Sequence, residues 1–207
     1  MGKGITVGIT GASGATYARE ILRALEADAR VERVHLIVTD AGMRLLTTEL
    51  NISAQEARSL PGLITGTTAA KIHYLPNKDI GAGIASGSAP VDAMVVIPCS
   101  AGTLASIAAG LSDDLLARAA DVCLKERRTL VLCLRETPLN RIHVENMLRA
   151  QQAGAVVMPA MPSFYHQPKS IDDLVQQFVF RVLAQMDLPQ ERAFRWDGAS
   201  GARTARP

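Results

Sequence analysis

Short apolar runs recur along this chain and alternate with segments of helical periodicity. The runs are rich in Val, Ile and Leu: Ile5–Ile9, Val34–Val38, Ala93–Ile97, Leu130–Leu134 and Ala155–Met158. Helical patterns lie near 15–27, 40–50, 102–109, 113–126, 138–152 and 170–186. Because a strand that is apolar throughout needs cover on both faces, such strands are typical of parallel sheets between helices. The alternation predicts a three-layer α/β/α domain with a doubly wound, flavodoxin- or Rossmann-like parallel sheet.

Two of the predicted helices carry clear end signals. Ser170 is a good N-cap, and Asp173 three residues later completes a near capping box. Pro138, preceded by Thr137, is typical of a first helical turn, and Gly154 is typical of a helix end. These residues predict where two helices begin and where one of them ends.

Length and composition narrow the class of protein. The 207 residues suit one domain, predicted over 1–197, followed by a disordered tail at 198–207. A hydrophobic content of 48% excludes a disordered chain, and a net charge of +2 argues against a nucleic-acid or anionic membrane surface. Cys99, Cys123 and Cys133 share no CxxC spacing and are predicted to be reduced, buried thiols of a cytoplasmic protein. No apolar run reaches transmembrane length.

Two predicted strands are followed by small and polar residues. The sequence TGASGA occupies 10–15, and PCSAGT occupies 98–103. Ligands bind at the carboxyl ends of parallel strands, where helix N–H groups and the helix dipole favour an anion. Taken singly, the first segment is equally consistent with a tight turn, and Ser100 is equally consistent with a simple N-cap. The pair favours an extended, phosphorylated ligand, although the absence of GxGxxG leaves a dinucleotide unspecified.

The sequence offers no metal site. Its Asp-Asp pairs at 113–114 and 172–173 each follow a Ser at a predicted helix start, where capping explains them. No His or Cys cluster has the spacing of metal ligands. The chemistry is therefore expected to proceed without a metal.

Five ordered motifs carry a family resemblance. They are ITVGITGASGATYA, VIPCSAGTLASIAAG, ERRTLVLCLRETPL, IHVENML and MPSFYHQPKSIDDLV. Over about residues 5–197 the chain resembles the UbiX/Pad-type flavin prenyltransferases. The resemblance implies a flavodoxin-like fold and transfer of a dimethylallyl group from dimethylallyl monophosphate to N5 and C6 of reduced FMN. It also implies a metal-independent, cytoplasmic homo-oligomer, for which a dodecamer is one expected form. The prenylated FMN is expected to serve a UbiD-type decarboxylase in ubiquinone biosynthesis or aromatic acid breakdown.

The same resemblance assigns the site residues. Those expected to bind FMN are Gly11, Ala12, Ser13, Thr39, Ser100, Ala101, Gly102, Thr103 and Arg135. Those expected to bind the isoprenoid phosphate are Arg118, Lys125, Tyr165 and Arg181. Those expected to take part in catalysis are Ser13, Glu49, Lys125 and Glu136.

Physical chemistry supports these roles while leaving alternatives open. Lys and Arg stabilise negative charge that develops on a leaving phosphate, but Arg118 and Lys125 also fit a solvated helix face, and Arg181 fits a surface arginine with a partly buried stem. Glu136 suits removal of a ring proton, and Glu49 suits a proton relay or the orientation of a cation; either also fits a surface ion pair.

Two other features leave the function open. Tyr165 and Trp196 stand out in a chain with only 4% aromatic residues, and their rings suit cation–π contact or simple packing. An FMN-dependent cysteine-type decarboxylase and a non-catalytic flavin-binding or delivery subunit are the rival functions. The cationic set of Lys125, Arg135 and Arg181, with Tyr165, argues against the decarboxylase, because that chemistry needs no pocket for an allylic phosphate. Catalytic turnover of the flavin would exclude the delivery subunit.

Overall fold

A computed structural model describes residues 2–53 and 59–196, so the predicted tail at 198–207 lies outside the described residues and its boundary stays a prediction. The strands are β1 Lys3–Ile9, β2 Val31–Val38, β3 Ile72–Pro76, β4 Ala93–Cys99, β5 Thr129–Leu134 and β6 Val156–Val157. The helices are α1 Ala15–Ala27, α2 Asp40–Leu50, α3 Leu60–Thr65, α4 Ala101–Ala108, α5 Leu115–Lys125, α6 Arg141–Gln152 and α7 Ile171–Gln185. A short 3₁₀ turn covers Gly83–Ala85.

The six strands form one parallel sheet in the order β3-β2-β1-β4-β5-β6. This is the doubly wound order of Rossmann-like folds. Separate hydrophobic cores cover the two faces of the sheet. One includes Leu22 of α1 and Val179 of α7, and the other includes Leu116 of α5 and Ala150 of α6. The predicted three-layer α/β/α fold is confirmed.

The strand order creates a crevice between β1 and β4. The chain continues from β1 to β2 on one side and from β4 to β5 on the other, so the connections diverge at this point. In an open sheet, ligands bind outside the carboxyl ends of the strands at such a switch point. Residues 10–14 after β1 and residues 99–103 after β4 are therefore brought to the same crevice.

Two elements escaped the sequence prediction. β3 lies at the edge of the sheet, contains His73 and Pro76 among its five residues and has only Ile72 buried, so it lacks a continuous apolar run. The other element, α3, has six residues, too few for a helical period to emerge. Both were missed because their hydrophobic signal is short.

The predicted start of α6 at Pro138 was wrong. This helix begins at Arg141, and the side chain of Asn140 accepts a hydrogen bond of 2.9 Å from the backbone N–H of His143. The His143 side chain completes the capping box by accepting from the Asn140 N–H. Because the Asn140 carboxamide satisfies an N–H that the first turn leaves open, it sets the start more strongly than proline does.

The other end signals are confirmed. Ser170 caps α7, its hydroxyl accepting from the Asp173 N–H at 3.1 Å while the Asp173 carboxylate accepts from the Ser170 N–H. Gly154 follows the end of α6 with φ of 107°, a left-handed conformation that suits glycine. The three cysteines are free and buried, as predicted. Within the described residues, no helix combines the length and apolar character needed to cross a bilayer.

Candidate active site

The turns after β1 and β4 lie side by side at the carboxyl edge of the sheet. The Thr10 N–H donates to the Pro98 carbonyl at 3.3 Å across the switch point. In the first turn a Cβ on Gly11 would come within 2.5 Å of the Ala41 Cβ, so the close approach of α2 requires glycine there. In the second turn, a Cβ on Gly102 would meet no atom within 4 Å, so that turn faces open space.

Glu49 of α2 occupies the amino end of α1. Its Oε2 accepts hydrogen bonds from the Ala15 N–H at 2.8 Å and the Gly14 N–H at 3.0 Å. The sequence predicted free N–H groups able to bind an anion at this turn, but those of Gly14 and Ala15 are already occupied. The anion is a carboxylate of this chain, which α2 delivers from 35 residues away in sequence.

The electrostatics of Glu49 match a carboxylate at a helix N-terminus. Partial burial raises its pKa, but hydrogen bonds from the Ser13 side chain and the Ala15 and Gly14 N–H groups, with the charge of Arg135, outweigh that effect and lower the pKa. Glu49 is therefore ionised at neutral pH. It links Ser13, a predicted flavin contact, to the start of α1.

Thr39, at the end of β2, lies beside the first turn. Its N–H donates to the Ile9 carbonyl at 3.0 Å, and its hydroxyl accepts from the Gly42 N–H at 3.0 Å as the N-cap of α2. The hydroxyl also lies 3.4 Å from the Ile9 carbonyl oxygen. The predicted flavin contact at Thr39 is thus at the same sheet edge as Gly11 and Ser13.

Ser100 is the N-cap of α4, and the turn keeps free donors beside it. The Ser100 Oγ accepts from the Thr103 N–H at 3.2 Å and lies 3.0 Å from the Thr103 hydroxyl. The N–H groups of Ala101 and Gly102 find no acceptor among the described residues, and the first turn of α4 carries no acidic residue. The N–H groups of Gly11, Ala12 and Ser13 in the first turn likewise find no acceptor among the described residues, so both turns keep donors for an anion.

Arg135 connects the two turns from the end of β5. Its backbone N–H donates to the Cys99 carbonyl at 3.0 Å, and its Nε donates to the Ser13 carbonyl at 3.1 Å. Its terminal guanidinium nitrogens make no hydrogen bond within residues 2–53 and 59–196, so they are available at the crevice. Glu136 is next in the chain and exposed, with its carboxylate accepting from the Thr137 N–H at 3.0 Å.

Arg118 and Lys125 lie along one face of α5, as their spacing predicts. Arg118 donates from Nε to the Ala85 carbonyl at 3.1 Å and pairs through Nη1 with Asp121 at 2.7 Å. Lys125 forms an ion pair with Glu126. A Cβ on Gly87 would come within 2.6 Å of the Lys125 Nζ, so this lysine also borders the loop that contains Ala85.

One chain does not bring Lys125 next to Arg135. Lys125 ends α5 four residues before β5 begins at Thr129, whereas Arg135 directly follows the end of that strand. A strand of six residues spans roughly 20 Å, so Lys125 and Arg135 lie toward opposite ends of β5. The predicted cationic set of Lys125, Arg135 and Arg181 is therefore not brought together within a single chain.

Tyr165 lies in an aromatic cluster formed by the C-terminal segment. Its ring centroid is 5.2 Å from that of Phe194 and 6.1 Å from that of Trp196. Gln177 of α7 holds this segment, accepting from the Phe194 N–H at 2.8 Å and donating to the Arg192 carbonyl at 3.2 Å. Tyr165 and Trp196 were singled out from the sequence, but Phe194 and the hydrogen bonds of Gln177 were missed, because no periodic pattern in the sequence marks them.

Arg181 lies on α7, one turn beyond Gln177 and therefore on the same side of the helix. Arg181 is exposed, while its neighbours Phe180 and Val182 are buried, so it lies at the edge of the apolar stripe, and the predicted partial burial of its stem stays a prediction. The described residues hold no cluster of three or more His, Cys, Asp or Glu able to bind a metal ion.

The fold and the switch-point crevice are those of a flavoprotein of the doubly wound α/β class, and the Flavoprotein family model matches residues 1–183. The flavin prenyltransferase UbiX of Salmonella typhimurium is 44% identical over 199 residues, covering 95% of this chain and 100% of the relative. The UbiX of Pseudomonas aeruginosa is 42% identical over 196 residues, 93% of each chain. This chain belongs to the UbiX family of flavoproteins.

A solved structure gives the same result. AnUbiX in complex with FMN and dimethylallyl pyrophosphate superimposes with a TM-score of 0.84 at 40% identity, covering 97% of this chain and 100% of that chain. A dodecameric FMN-dependent UbiX-like decarboxylase from Escherichia coli O157:H7 has a TM-score of 0.83 at 40% identity, covering 94% and 100%. Both match the fold derived above over nearly its whole length.

Proposed function

We propose that this protein is a flavin prenyltransferase that joins a dimethylallyl group from dimethylallyl monophosphate to N5 and then C6 of reduced FMN. The observation that carries the proposal is the crevice between β1 and β4. There, the N–H groups of Ala101 and Gly102 and the terminal guanidinium nitrogens of Arg135 have no partner among the described residues, and they lie at the turns that follow β4 and β5. The flavin prenyltransferase UbiX proteins at 42–44% identity support the choice of chemistry.

The residues at the crevice fit FMN. The amino end of α4 offers an anion site for the phosphate, since its donors are free and the dipole of the helix favours negative charge. Gly11 and Ser13 are exposed and flank Ala12, which places the backbone of the first turn within reach of the flavin, and the Arg135 guanidinium suits a hydrogen bond to the ring system. When bound, reduced FMN supplies the nucleophilic N5 and C6 atoms.

The remaining FMN contacts are assigned to the same edge of the sheet. They are Ser13, Thr39, Ser100, Ala101, Gly102 and Thr103. Thr39 and Ser100 already act as N-caps, so each holds its turn in shape while presenting a hydroxyl to the crevice.

The acidic residues divide proton handling between them. Glu136 is exposed at the crevice beside Arg135 and is assigned to accept the proton that C6 loses when the new ring closes. Glu49, ionised and hydrogen-bonded by Ser13, holds that hydroxyl in place and supports a proton relay to the flavin.

The isoprenoid phosphate is bound by residues from more than one subunit. Lys125 lies toward the opposite end of β5 from Arg135 in one chain, so we assign it, with Arg118, Tyr165 and Arg181, to a phosphate site that a neighbouring copy completes. The dodecameric Escherichia coli relative supports a homo-oligomer for this chain. Arg118, Lys125 and Arg181 together stabilise the negative charge that grows on phosphate as the allylic C–O bond breaks. A divalent metal plays this role with diphosphates.

The product is prenylated FMN, and we propose that a UbiD-type decarboxylase in the cytoplasm receives it and uses it as cofactor. The rival function of a cysteine decarboxylase is supported only by similarity of fold. The FMN-dependent cysteine decarboxylase TvaF is 16% identical to this chain, with a TM-score of 0.59. A non-catalytic delivery subunit would bind FMN without turnover.

One experiment separates these functions. The protein is incubated without oxygen with reduced FMN and dimethylallyl monophosphate, and the flavin is then analysed by mass spectrometry. A flavin heavier by one five-carbon prenyl group supports the proposal. Unmodified flavin at saturating substrate would reject it, and a parallel reaction with dimethylallyl pyrophosphate tests the preference for the monophosphate.

A further inference from the structure

Thr10 is the last residue before the first turn of the crevice and is only 1% exposed. Its hydroxyl donates a hydrogen bond of 2.8 Å to the Pro98 carbonyl and accepts one of 2.8 Å from the Ser100 N–H. The three residues belong to β1 and β4 exits that are about 90 positions apart in sequence. A single buried side chain thus cross-links the two turns that face the crevice.

Both hydrogen bonds matter because of the groups they satisfy. The Ser100 N–H precedes α4 and has no other acceptor among the described residues, so the Thr10 hydroxyl is its partner. The Pro98 carbonyl retains a weaker bond of 3.3 Å from the Thr10 N–H. Losing the hydroxyl therefore leaves one amide hydrogen unpaired at the point where the second turn begins, and that turn must shift or take up water.

Ser100 is also the N-cap of α4, so the hydrogen bonds of Thr10 help to fix where the N–H groups of Ala101 and Gly102 lie. The Ser100 N–H is held by Thr10, and the Ser100 Oγ accepts from the Thr103 N–H at 3.2 Å. The N–H groups of Ala101 and Gly102 lie between these two anchored points. Their distance from the first turn is consequently set by Thr10.

We propose that Thr10 is a positioning residue that fixes the spacing between the two flavin-binding turns without touching the flavin itself. This inference rests on the proposed function, because it assumes that FMN spans both turns. It predicts that the hydroxyl, rather than the size or burial of the side chain, controls flavin affinity. Nothing in the motif TGASGA marks Thr10 in this way, since the partner residues come from the other turn.

The chain provides a matched control for the test. Thr6 lies on the same strand, is also 1% exposed, and its Oγ1 has no hydrogen-bond partner among the described residues. Thr10→Val removes a hydroxyl with two partners, Thr6→Val removes one with none, and Thr10→Ser keeps the hydroxyl while losing a methyl group. The dissociation constant of FMN is measured for each by quenching of flavin fluorescence, and the folded fraction by urea titration.

Thr10→Val is expected to weaken FMN binding by about ten- to a hundredfold, the range that an unpaired polar group costs. Thr10→Ser and Thr6→Val are expected to bind within about threefold of the wild type, a difference too small for the loss of a paired group. Wild-type affinity in Thr10→Val, or equal losses in Thr10→Val and Thr10→Ser, would overturn the inference.

Hydrogen exchange at the Ser100 amide tests the cross-link without flavin. Exchange of this amide is expected to speed up in Thr10→Val and to stay slow in Thr10→Ser and Thr6→Val. If the wild type fails to bind FMN, the proposed function fails, and the exchange data still decide the role of Thr10. Unchanged exchange at Ser100 in Thr10→Val would reject that role.

Discussion

Glu49 of α2 accepts a hydrogen bond of 2.8 Å from the backbone N–H of Ala15, the first residue of α1. The positive end of this helix is therefore matched by a carboxylate of the chain itself. The amino end of α4, across the crevice, has no acidic residue in its first turn, and the N–H groups of Ala101 and Gly102 find no acceptor among the described residues. The two helix ends at the switch point therefore differ in charge balance, which neither turn sequence alone could specify.

Replacing Glu49 should destabilise α1 in a pH-dependent manner. Glu49→Gln is expected to lower the free energy of unfolding at neutral pH by about 1 kcal/mol, the usual value of a capping or dipole interaction. Because folding lowers the pKa of Glu49, its stabilising effect is present above its ordinary pKa of 4.5 and disappears as pH falls through the lowered folded value.

The measurement is a urea titration of the wild type and the variant at several pH values. Glu145→Gln is the control, since that carboxylate pairs with Arg141 one turn away on α6 and caps no helix end. A stability difference for Glu49→Gln that grows toward acidic pH would contradict the capping role.

Mixing of inactive subunits should restore activity if the phosphate site is shared. Lys125→Ala and Arg135→Ala are each expected to abolish prenyl transfer, because each removes a cation from every site. Hetero-oligomers formed by unfolding and refolding the two variants together will contain some sites with both residues intact. Recovered turnover, assayed by mass spectrometry of the flavin, is expected; mixed oligomers with no activity would place both residues in one subunit's site.

Arg181→Ala should separate the two ligands. The side chain is exposed on α7 and is assigned to the isoprenoid phosphate and not to the flavin, so its loss is expected to weaken binding of dimethylallyl monophosphate strongly and binding of FMN little. The KM for the monophosphate and the dissociation constant of FMN are the two readouts. Arg141→Ala, at another exposed arginine, serves as the control. Equal losses for both ligands would count against the assigned role.

Asp28 should stabilise the fold down to strongly acidic pH. Hydrogen bonds from Arg30 lower the pKa of Asp28 far below its ordinary value of 3.8, outweighing the effect of burial, and Gln190 adds another hydrogen bond at 3.1 Å. Arg30 also donates to the Pro189 carbonyl at 3.0 Å, so this pair anchors the segment after α7. The stabilisation is therefore present above pH 3.8 and fades as pH falls toward the lowered value.

Asp28→Asn is expected to lower the free energy of unfolding by about 1–3 kcal/mol, the range for hydrogen bonds to a charged group. Urea titrations at neutral and acidic pH give the comparison, with Asp187→Asn as the control at an exposed carboxylate. A variant as stable as the wild type at neutral pH would show that the anchor contributes nothing.

His35 should oppose folding as the solution becomes acidic. Burial, with help from Arg33 and His73, lowers its pKa to about 4, and its Nδ1 has no partner among the described residues. The unfolded chain therefore binds this proton first, so stability is lost as pH falls from 6.5 to about 4. His35→Leu is expected to flatten the pH dependence of the urea midpoint in that interval. An unchanged slope would exclude His35 as its source.

The sequence predicted the fold where the hydrophobic signal was long. Runs such as Ile5–Ile9 and Ala93–Ile97 specify central strands because burial on both faces leaves no room for polar residues. The edge strand Ile72–Pro76 needs burial on less of its surface, so its pattern is ambiguous. The start of α6 was missed because capping by Asn140 is a local hydrogen bond, which competes with the preference of Pro138 for a first turn.

In the candidate site, the turns that face a ligand could be predicted from residue order, because small residues directly after buried strands must lie at the carboxyl edge of a parallel sheet. The way those turns are held could not be predicted. Glu49 closes one helix end and Thr10 joins the two turns, and these contacts link residues 34 and 90 positions apart. Lys125 and Arg135 are close in sequence but lie at opposite ends of β5. Only the packing of helices and strands into the sheet sets these distances.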